Sequence, residues 1–175
     1  MEKSRELAVR FGLSEADIER ASLAGLLHDT AKLLPKEDLL RRAEVFGLPI
    51  TEFHRQSPQT LHPLVGAALV NIELGITDED ILNAIRSHTT GRAGMSVLER
   101  IVYVADKIEG RTRDADFISR VEAQMQGNRL DDLDSGLRYI LNDTIEFLTQ
   151  RGQAIHPDTL AARDDLLTKQ EDTRC

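Results

Sequence analysis

Apolar residues recur along most of the chain at intervals of three and four, which is the spacing of one face of an α-helix. No segment alternates apolar and polar residues as a half-buried β-strand does. Cap residues stand just before the periodic segments, and glycines stand just after them. The pattern therefore predicts an all-α fold.

The first long predicted helix begins at Ser14 with Asp17 and runs to about Leu34. A short predicted helix ends at Gly12. The next ones are "KEDLLRRAEVF", with Pro35 as its first residue and Gly47 at its end, "PLVGAALVNIEL", which ends near Gly75, and "EDILNAIRSH", which is capped by Thr77 with Asp80. After them come "VLERIVYVADKIE", which begins with a capping box of Ser96 and Glu99, a long helix from about Leu130 to Arg151, and a short one over about 157–169. The stretch from Arg111 to Asn128 has the weakest pattern. Since 175 residues with 41% hydrophobic content suit one core, we predict a single domain over 1–175 with the last short helix packed on it.

Composition and charge narrow the function classes. The formal net charge of -8 argues against broad nucleic-acid binding, which relies on a basic surface. The negative net charge is compatible with an anionic small molecule as ligand, because a metal ion and a few local cations can reverse the electrostatic field inside a cleft. The one cysteine, Cys175, allows no intrachain disulfide, and no apolar run approaches the roughly 18 residues that span a bilayer. We expect a cytoplasmic protein that binds no membrane and no nucleic acid.

One apolar segment, "LAGLLHDTAK", carries candidate chemistry at His28, Asp29 and Lys32. Burying such groups costs free energy unless they have partners. At about 100° per residue, His28 and Asp29 flank a stripe that holds Ala21, Gly25 and Lys32, and the small residues of this stripe would leave a pocket. We expect the partners to come from elsewhere in the chain.

Candidate partners lie on other predicted helices or helix ends, at His62, His88 and Asp106. Imidazole and carboxylate ligands from separate helices suit iron, manganese or zinc in helical bundles. Taken singly, each has a plainer interpretation, because Asp106 could be a surface acid and Lys32 could simply pair with Asp29. Their joint occurrence favours a metal site.

The remaining histidines and the common catalytic motifs give no evidence for a second site. His54 and His156 lie in polar or proline-adjacent segments, and we assign them no chemistry. The chain has no HExxH or CxxC motif, no phosphate loop, no GxGxxG after a strand and no GxSxG elbow. A terminal cysteine is a poor candidate nucleophile. The sequence thus offers the histidine-aspartate site or none.

At these residues the chain resembles the HD-domain metal-dependent phosphohydrolases, and within them the YqeK-type branch of symmetrical bis(5'-nucleosyl)-tetraphosphatases. The resemblance runs along almost the whole chain and rests on "ASLAGLLHDTAK", "LHPLVGAALV", "AIRSHTTGRAGMSVLERIVYVADKIE" and "RGQAIHPDTLAARDDLL". It implies an HD-domain helical bundle, a hydrolase acting on acid anhydrides. The implied reaction converts diadenosine tetraphosphate to two ADP with a bound divalent metal, typically iron, with manganese or another transition metal as an alternative.

Carried over by position, the resemblance implies that His28, Asp29 and Asp106 are metal ligands. His62 and His88 match positions that hold a second metal or contact nucleotide phosphate, and both roles stay open. Asp29 would also orient the attacking water or accept its proton.

The resemblance further implies phosphate contacts from Lys32, which counts among the catalytic residues, and from an arginine after "ADKIE". Arg113 is the favoured position, with Arg111 as the neighbouring alternative. The family's first histidine ligand lies in its first helix, at a position that would precede Met1. We therefore expect the natural protein to begin further upstream.

Alternatives to this interpretation belong to several classes. The chain could be another HD-type nucleotide phosphohydrolase or phosphodiesterase, a catalytically impaired nucleotide-binding regulatory domain, or a plain structural bundle. The expected partner is a dinucleoside polyphosphate substrate, and a homodimer stays open. Gly91 and Gly94 in the "HTTGR" region permit either a mobile lid or a simple turn.

Overall fold

The computed structural model describes residues 1–110 and 114–172, and the side chains as far as residue 168. The helices are α1 Glu2–Arg10, α2 Glu15–Leu27, α3 Lys36–Val45, α4 Glu52–Gln56, α5 His62–Leu74, α6 Glu79–Ser87, α7 Val97–Ile108, α8 Ala115–Gln124, α9 Leu130–Gln150 and α10 Pro157–Asp172, with a 3-10 helix at Pro58–Leu61 before α5. Over these described ranges no residue lies in a strand. The predicted all-α class is confirmed.

Helix α7 forms the centre of the larger core. It packs against α1, α2, α6, α8 and α9, and Tyr103 and Val104 in its middle are fully buried. Its start is the predicted capping box, in which Ser96 Oγ accepts from the Glu99 amide and the Glu99 side chain accepts from the Ser96 amide. A local sequence signal thus begins the helix that carries Asp106.

Helix α5 separates the larger core from a smaller one. Ala67 and Val70 face the larger core, whereas Val65 and Leu69 pack with α3 and the 3-10 helix. A helix that is covered on two sides needs apolar residues all round. This explains why "PLVGAALVNIEL" shows little polar character, and it fixes His62 at the buried start of α5.

The prediction of one helix from Ser14 to Leu34 is wrong, because α2 ends at Leu27. The His28 ring binds the Gly25 carbonyl oxygen at 2.9 Å, and Thr30 Oγ1 donates to the Leu27 carbonyl oxygen at 2.6 Å. Side chains thereby take carbonyl groups that the next helical turn would have used. The chain continues as a series of turns to Leu34.

Other helix boundaries also differ from the prediction. Asp78, not Thr77, caps α6, since its carboxylate accepts from the amides of Asp80 and Ile81. Pro35 is the N-cap of α3 and not its first residue. The sequence pattern missed α4, the 3-10 helix and α8, which are short or lie in the weakly patterned stretch, and α10 extends beyond the predicted end.

Gly25 does not leave the expected pocket. A Cβ atom at this position would lie 2.3 Å from Ser4 Oγ and 2.8 Å from Ser4 Cβ. The missing side chain therefore accommodates α1, which packs closely on α2. Within the described residues, no helix is both long enough and apolar enough to cross a membrane.

Candidate metal centre

Five predicted site residues meet where α2, α5, α6 and α7 come together, and we name them the ligand cluster: His28, Asp29, His62, His88 and Asp106. The separations between their side-chain atoms are 3.3 Å from His28 Nε2 to Asp29 Oδ2, 3.3 Å from His28 Nε2 to Asp106 Oδ1, 3.5 Å from His88 Nε2 to Asp29 Oδ1, 3.7 Å from His62 Nε2 to Asp29 Oδ1, and 3.1 Å between the Nε2 atoms of His62 and His88. Residues far apart in the chain thus form one group.

The three histidines of the cluster are held in the same way. Each ring Nδ1 lies against the carbonyl oxygen of the residue three positions earlier, at 2.9 Å for His28 and Gly25, 2.7 Å for His62 and Gln59, and 2.7 Å for His88 and Ile85. A carbonyl oxygen can only accept, so Nδ1 carries the hydrogen. In the neutral ring, Nε2 therefore presents a lone pair to the cluster.

Two buried atoms of the cluster, His28 Nε2 and Asp29 Oδ1, make no hydrogen bond with any described residue. His28, Asp29 and His88 each offer one ligand atom, and these atoms all lie within 4.8 Å of one another. The lone pairs on the Nε2 atoms of His62 and His88 repel each other at 3.1 Å unless a proton or a cation lies nearby. A divalent cation would satisfy all of these atoms, so the residues present fit a metal site.

Both carboxylates of the cluster are held in the ionised form. Burial alone would raise the pKa of Asp29, but the neighbouring His28, His88 and Lys32 outweigh burial and hold this pKa well below its usual range. The pKa of Asp106 is also lowered, because His28 and Lys107 outweigh its burial.

The histidines of the cluster titrate differently from one another. Burial lowers the pKa of His62 to about 4 and also lowers the pKa of His88, so both rings are neutral near pH 7. Burial likewise opposes the charge on His28, but the adjacent Asp106 and Asp29 carboxylates raise its pKa to about 9. A cation that binds the cluster must displace this His28 proton.

Two lysines bind the cluster's carboxylates. Lys32 Nζ lies 2.7 Å from Asp29 Oδ2, and its side chain is 45% exposed. Lys107 Nζ lies 2.6 Å from Asp106 Oδ2 and 5.2 Å from the centre of the Tyr103 ring. The Asp106 side chain is only 12% exposed, which rules out a surface acid. Sequence reasoning did not select Lys107, although a lysine directly after a buried aspartate was the available signal.

The turn over 89–96 is tied down on both sides. Arg92 Nε and Nη2 donate to the two carboxylate oxygens of Glu99, each at 2.7 Å. From the opposite side, Thr159 Oγ1 in α10 donates to the Thr90 carbonyl oxygen at 2.9 Å. These contacts hold the turn in place directly after His88.

Arg111 and Arg113 lie outside the described residues, so their expected contact with phosphate stays a prediction. Lys32 and all five members of the ligand cluster lie together. The sequence had also left His54 and His156 without a role, yet their rings lie 5.6 Å apart, and His156 also packs on Phe53.

Comparison with known proteins gives consistent matches. The family model of the HD domain matches residues 1–111. The symmetrical bis(5'-nucleosyl)-tetraphosphatase of Bacillus subtilis is 39% identical over 159 residues, which are 91% of this chain and 81% of that protein. The protein of the same name from Halalkalibacterium halodurans is 39% identical over 173 residues, covering 98% of this chain and 87% of the relative.

A solved structure matches the fold as a whole. It is the crystal structure of a predicted HD superfamily hydrolase involved in NAD metabolism from Clostridium acetobutylicum. The TM-score is 0.87 at 34% sequence identity, and the match covers 96% of this chain and 85% of that chain.

Proposed function

The chain belongs to the HD domain family, and we propose that it is a metal-dependent hydrolase that cleaves diadenosine tetraphosphate and related dinucleoside polyphosphates into two nucleoside diphosphates. The relatives named symmetrical bis(5'-nucleosyl)-tetraphosphatase support this substrate, because the matches span most of both chains. The observation in the molecule that carries the proposal is the convergence of three histidine Nε2 atoms and two carboxylates in the ligand cluster.

We assign the metal to His28, Asp29 and Asp106, and the cation to iron, for which manganese would substitute in assays. Mixed imidazole and carboxylate ligands suit both ions. His88 contributes to the same group of ligand atoms, which supports a contact with a cation. His62 lies one step further out, with Thr89 Oγ1 at 3.2 Å from its Nε2, so a contact with either a second cation or a phosphate is compatible with its place.

When bound, a divalent cation would lower the pKa of water enough for attack at neutral pH and would neutralise phosphate oxygens. Asp29 Oδ2 is already paired with Lys32 Nζ at 2.7 Å, so this oxygen is poorly placed to accept a proton. This favours a role in orienting the attacking water over a role in accepting its proton. Its position, between the histidines on one side and Lys32 on the other, is suited to that role.

Lys32 supplies positive charge where the substrate enters. Its half-exposed ammonium group is held by Asp29, and we propose that it contacts a phosphate and stabilises the charge that develops on the leaving group. Arg113 would add a second such contact. Attack of water at an inner phosphorus breaks the central P–O bond of the tetraphosphate, and both halves leave as ADP.

The test is product analysis on the full chain loaded with Fe(II) or Mn(II) without oxygen. Diadenosine tetraphosphate should give ADP alone, whereas AMP with ATP would refute symmetrical cleavage. Asp29→Asn should abolish turnover and reduce the bound metal with the helical content unchanged. Asp38→Asn is the matched control, because Asp38 pairs with Arg41 on the surface of α3.

A further inference from the structure

A cleft lies between α4 and the start of α10, outside the ligand cluster. Its cavity of about 490 Å³ is lined by residues that include Phe53, His54, Thr60, Arg86, Thr90 and His156. This volume lies in the range of small-molecule sites. The metal chemistry described above uses none of these side chains.

The cleft leads toward the ligand cluster. An adjoining cavity of about 310 Å³ shares Phe53, Thr60, Thr90 and His156 with the cleft, and Thr89 also lines it. Thr89 Oγ1 lies 3.2 Å from His62 Nε2. A ligand that is bound at the cluster through one end can therefore place its other end in the cleft.

The two histidines of the cleft carry their hydrogen on the opposite nitrogen from those of the cluster. The Thr51 amide donates to His54 Nδ1 at 3.1 Å, and the Asp158 amide donates to His156 Nδ1 at 3.2 Å. A backbone amide can only donate, so the neutral rings carry their hydrogen on Nε2. Burial lowers the pKa of both rings and favours this neutral form. Such rings are hydrogen-bond donors, and they have no Nε2 lone pair for a metal.

The charges around the cleft do not suit phosphate. Arg86 Nη1 donates to Glu79 and to Asn83, each at 2.8 Å, so the Glu79 carboxylate offsets the charge of Arg86. The other charged residues of the wall are the carboxylates Glu52 and Asp158, which would repel phosphate but can accept from ribose hydroxyls. The cleft therefore suits an uncharged sugar and ring.

Two aromatic rings are in contact within the cleft. The Phe53 and His156 rings meet edge to face with their centroids 4.8 Å apart. Together they offer an apolar surface for a planar ring and an N–H donor for a ring nitrogen, and purines carry such acceptor nitrogens.

We propose that this cleft binds the adenosine of one half of the substrate, with Phe53 packing on the base and His156 Nε2–H donating to a base nitrogen. This inference rests on the proposed function for the identity of the ligand. It places the phosphate chain along Thr89, between the cleft and the ligand cluster.

Two variants test the cleft kinetically. Phe53→Ala removes the packing surface. His156→Asn removes the imidazole, and the asparagine still caps α10, because its oxygen can accept from the Asp158 amide as Nδ1 does. Each should raise KM for diadenosine tetraphosphate about tenfold with kcat nearly unchanged, as expected when base stacking is lost away from the reacting atoms. Phe147→Ala, at an exposed phenylalanine of α9, is the control and should leave both constants unchanged.

A binding measurement separates this inference from the proposed function. Saturation-transfer NMR with adenosine needs no metal and no turnover, and it should show contact of the base protons with the wild-type chain and with Phe147→Ala but not with Phe53→Ala. If diadenosine tetraphosphate is not hydrolysed but this pattern holds, the cleft assignment stands and the proposed reaction fails. If hydrolysis occurs and KM is the same in both cleft variants, or if adenosine gives no transfer to the wild type, the cleft assignment is overturned.

Discussion

Replacement of Glu99 by glutamine should loosen the turn that follows His88. The Glu99 carboxylate is fully buried and accepts three hydrogen bonds. Arg92 Nε donates to Oε1, and both Arg92 Nη2 and the Ser96 amide donate to Oε2. A glutamine places an NH₂ group at one of these two oxygen positions, where it would face a donor.

The least costly orientation keeps the glutamine oxygen at the Oε2 position, because that oxygen accepts two bonds. The variant then loses one charge-assisted bond, that from Arg92 Nε, which would be worth about 1.5 to 3 kcal/mol. The Arg92 side chain is 45% exposed, so water partly replaces the lost partner. We therefore expect the free energy of unfolding to fall by about 1 to 2 kcal/mol.

Urea unfolding followed by far-UV circular dichroism measures this change as a shift in midpoint at constant slope. The same Glu99→Gln change made in an Arg92→Ala background should cost much less, because the donor that glutamine leaves unpaired is then absent. A loss below about 0.5 kcal/mol, or an equal loss in both backgrounds, would refute the assigned role of this pair.

Three further predictions concern the metal, the turn and the phosphate contact. If the free metal concentration is roughly a hundredfold its Kd, chelation of the loaded protein should lower the Tm measured by calorimetry by about 5 to 10 °C. An unchanged Tm would contradict metal binding to the folded chain. Gly91→Ala should destabilise the protein in urea by about 1 to 3 kcal/mol more than Gly94→Ala. Both glycines have positive φ, but only at Gly91 would the new Cβ meet another atom of the described chain within 4 Å, namely Ala162 Cβ at 3.1 Å. Equal losses would argue against close packing of α10 there. Lys32→Met should lower kcat/KM for diadenosine tetraphosphate by about 10- to 100-fold, whereas Lys3→Met, at a surface lysine paired with Glu6, should not.

Features that depend on neighbours in the sequence were predicted well. Ser14 accepts from the Asp17 amide as a helix cap, and Gly75 ends α5 in the left-handed conformation with φ of 67°. Such caps act within a single helical turn, so the sequence contains all that is needed to recognise them. The resemblance to HD-domain phosphohydrolases identified the family and the candidate metal ligands, which residue types alone would have left open.

Features that depend on which atoms the side chains contact were predicted poorly. The end of α2 was misplaced because the periodic pattern continues through His28, while the helix stops there through contacts of side chains with carbonyl groups. The sequence did not show that Arg92 pairs with Glu99, so it could not distinguish a turn held by this pair from a mobile loop. His54 and His156 looked inert separately, and only folding brings their rings together beside Phe53.

By itself, the sequence determined the helical class and most helix starts, because periodicity and capping are local properties of the chain. The candidate metal ligands came from residue types together with the resemblance to a known family. Only the tertiary structure decided which atoms of those side chains face one another. The backbone carbonyl or amide that each histidine meets sets the nitrogen that carries its hydrogen, and so separates rings that present an Nε2 lone pair from rings that present an Nε2–H donor. That distinction rests on where the backbone places its carbonyl and amide groups around each ring.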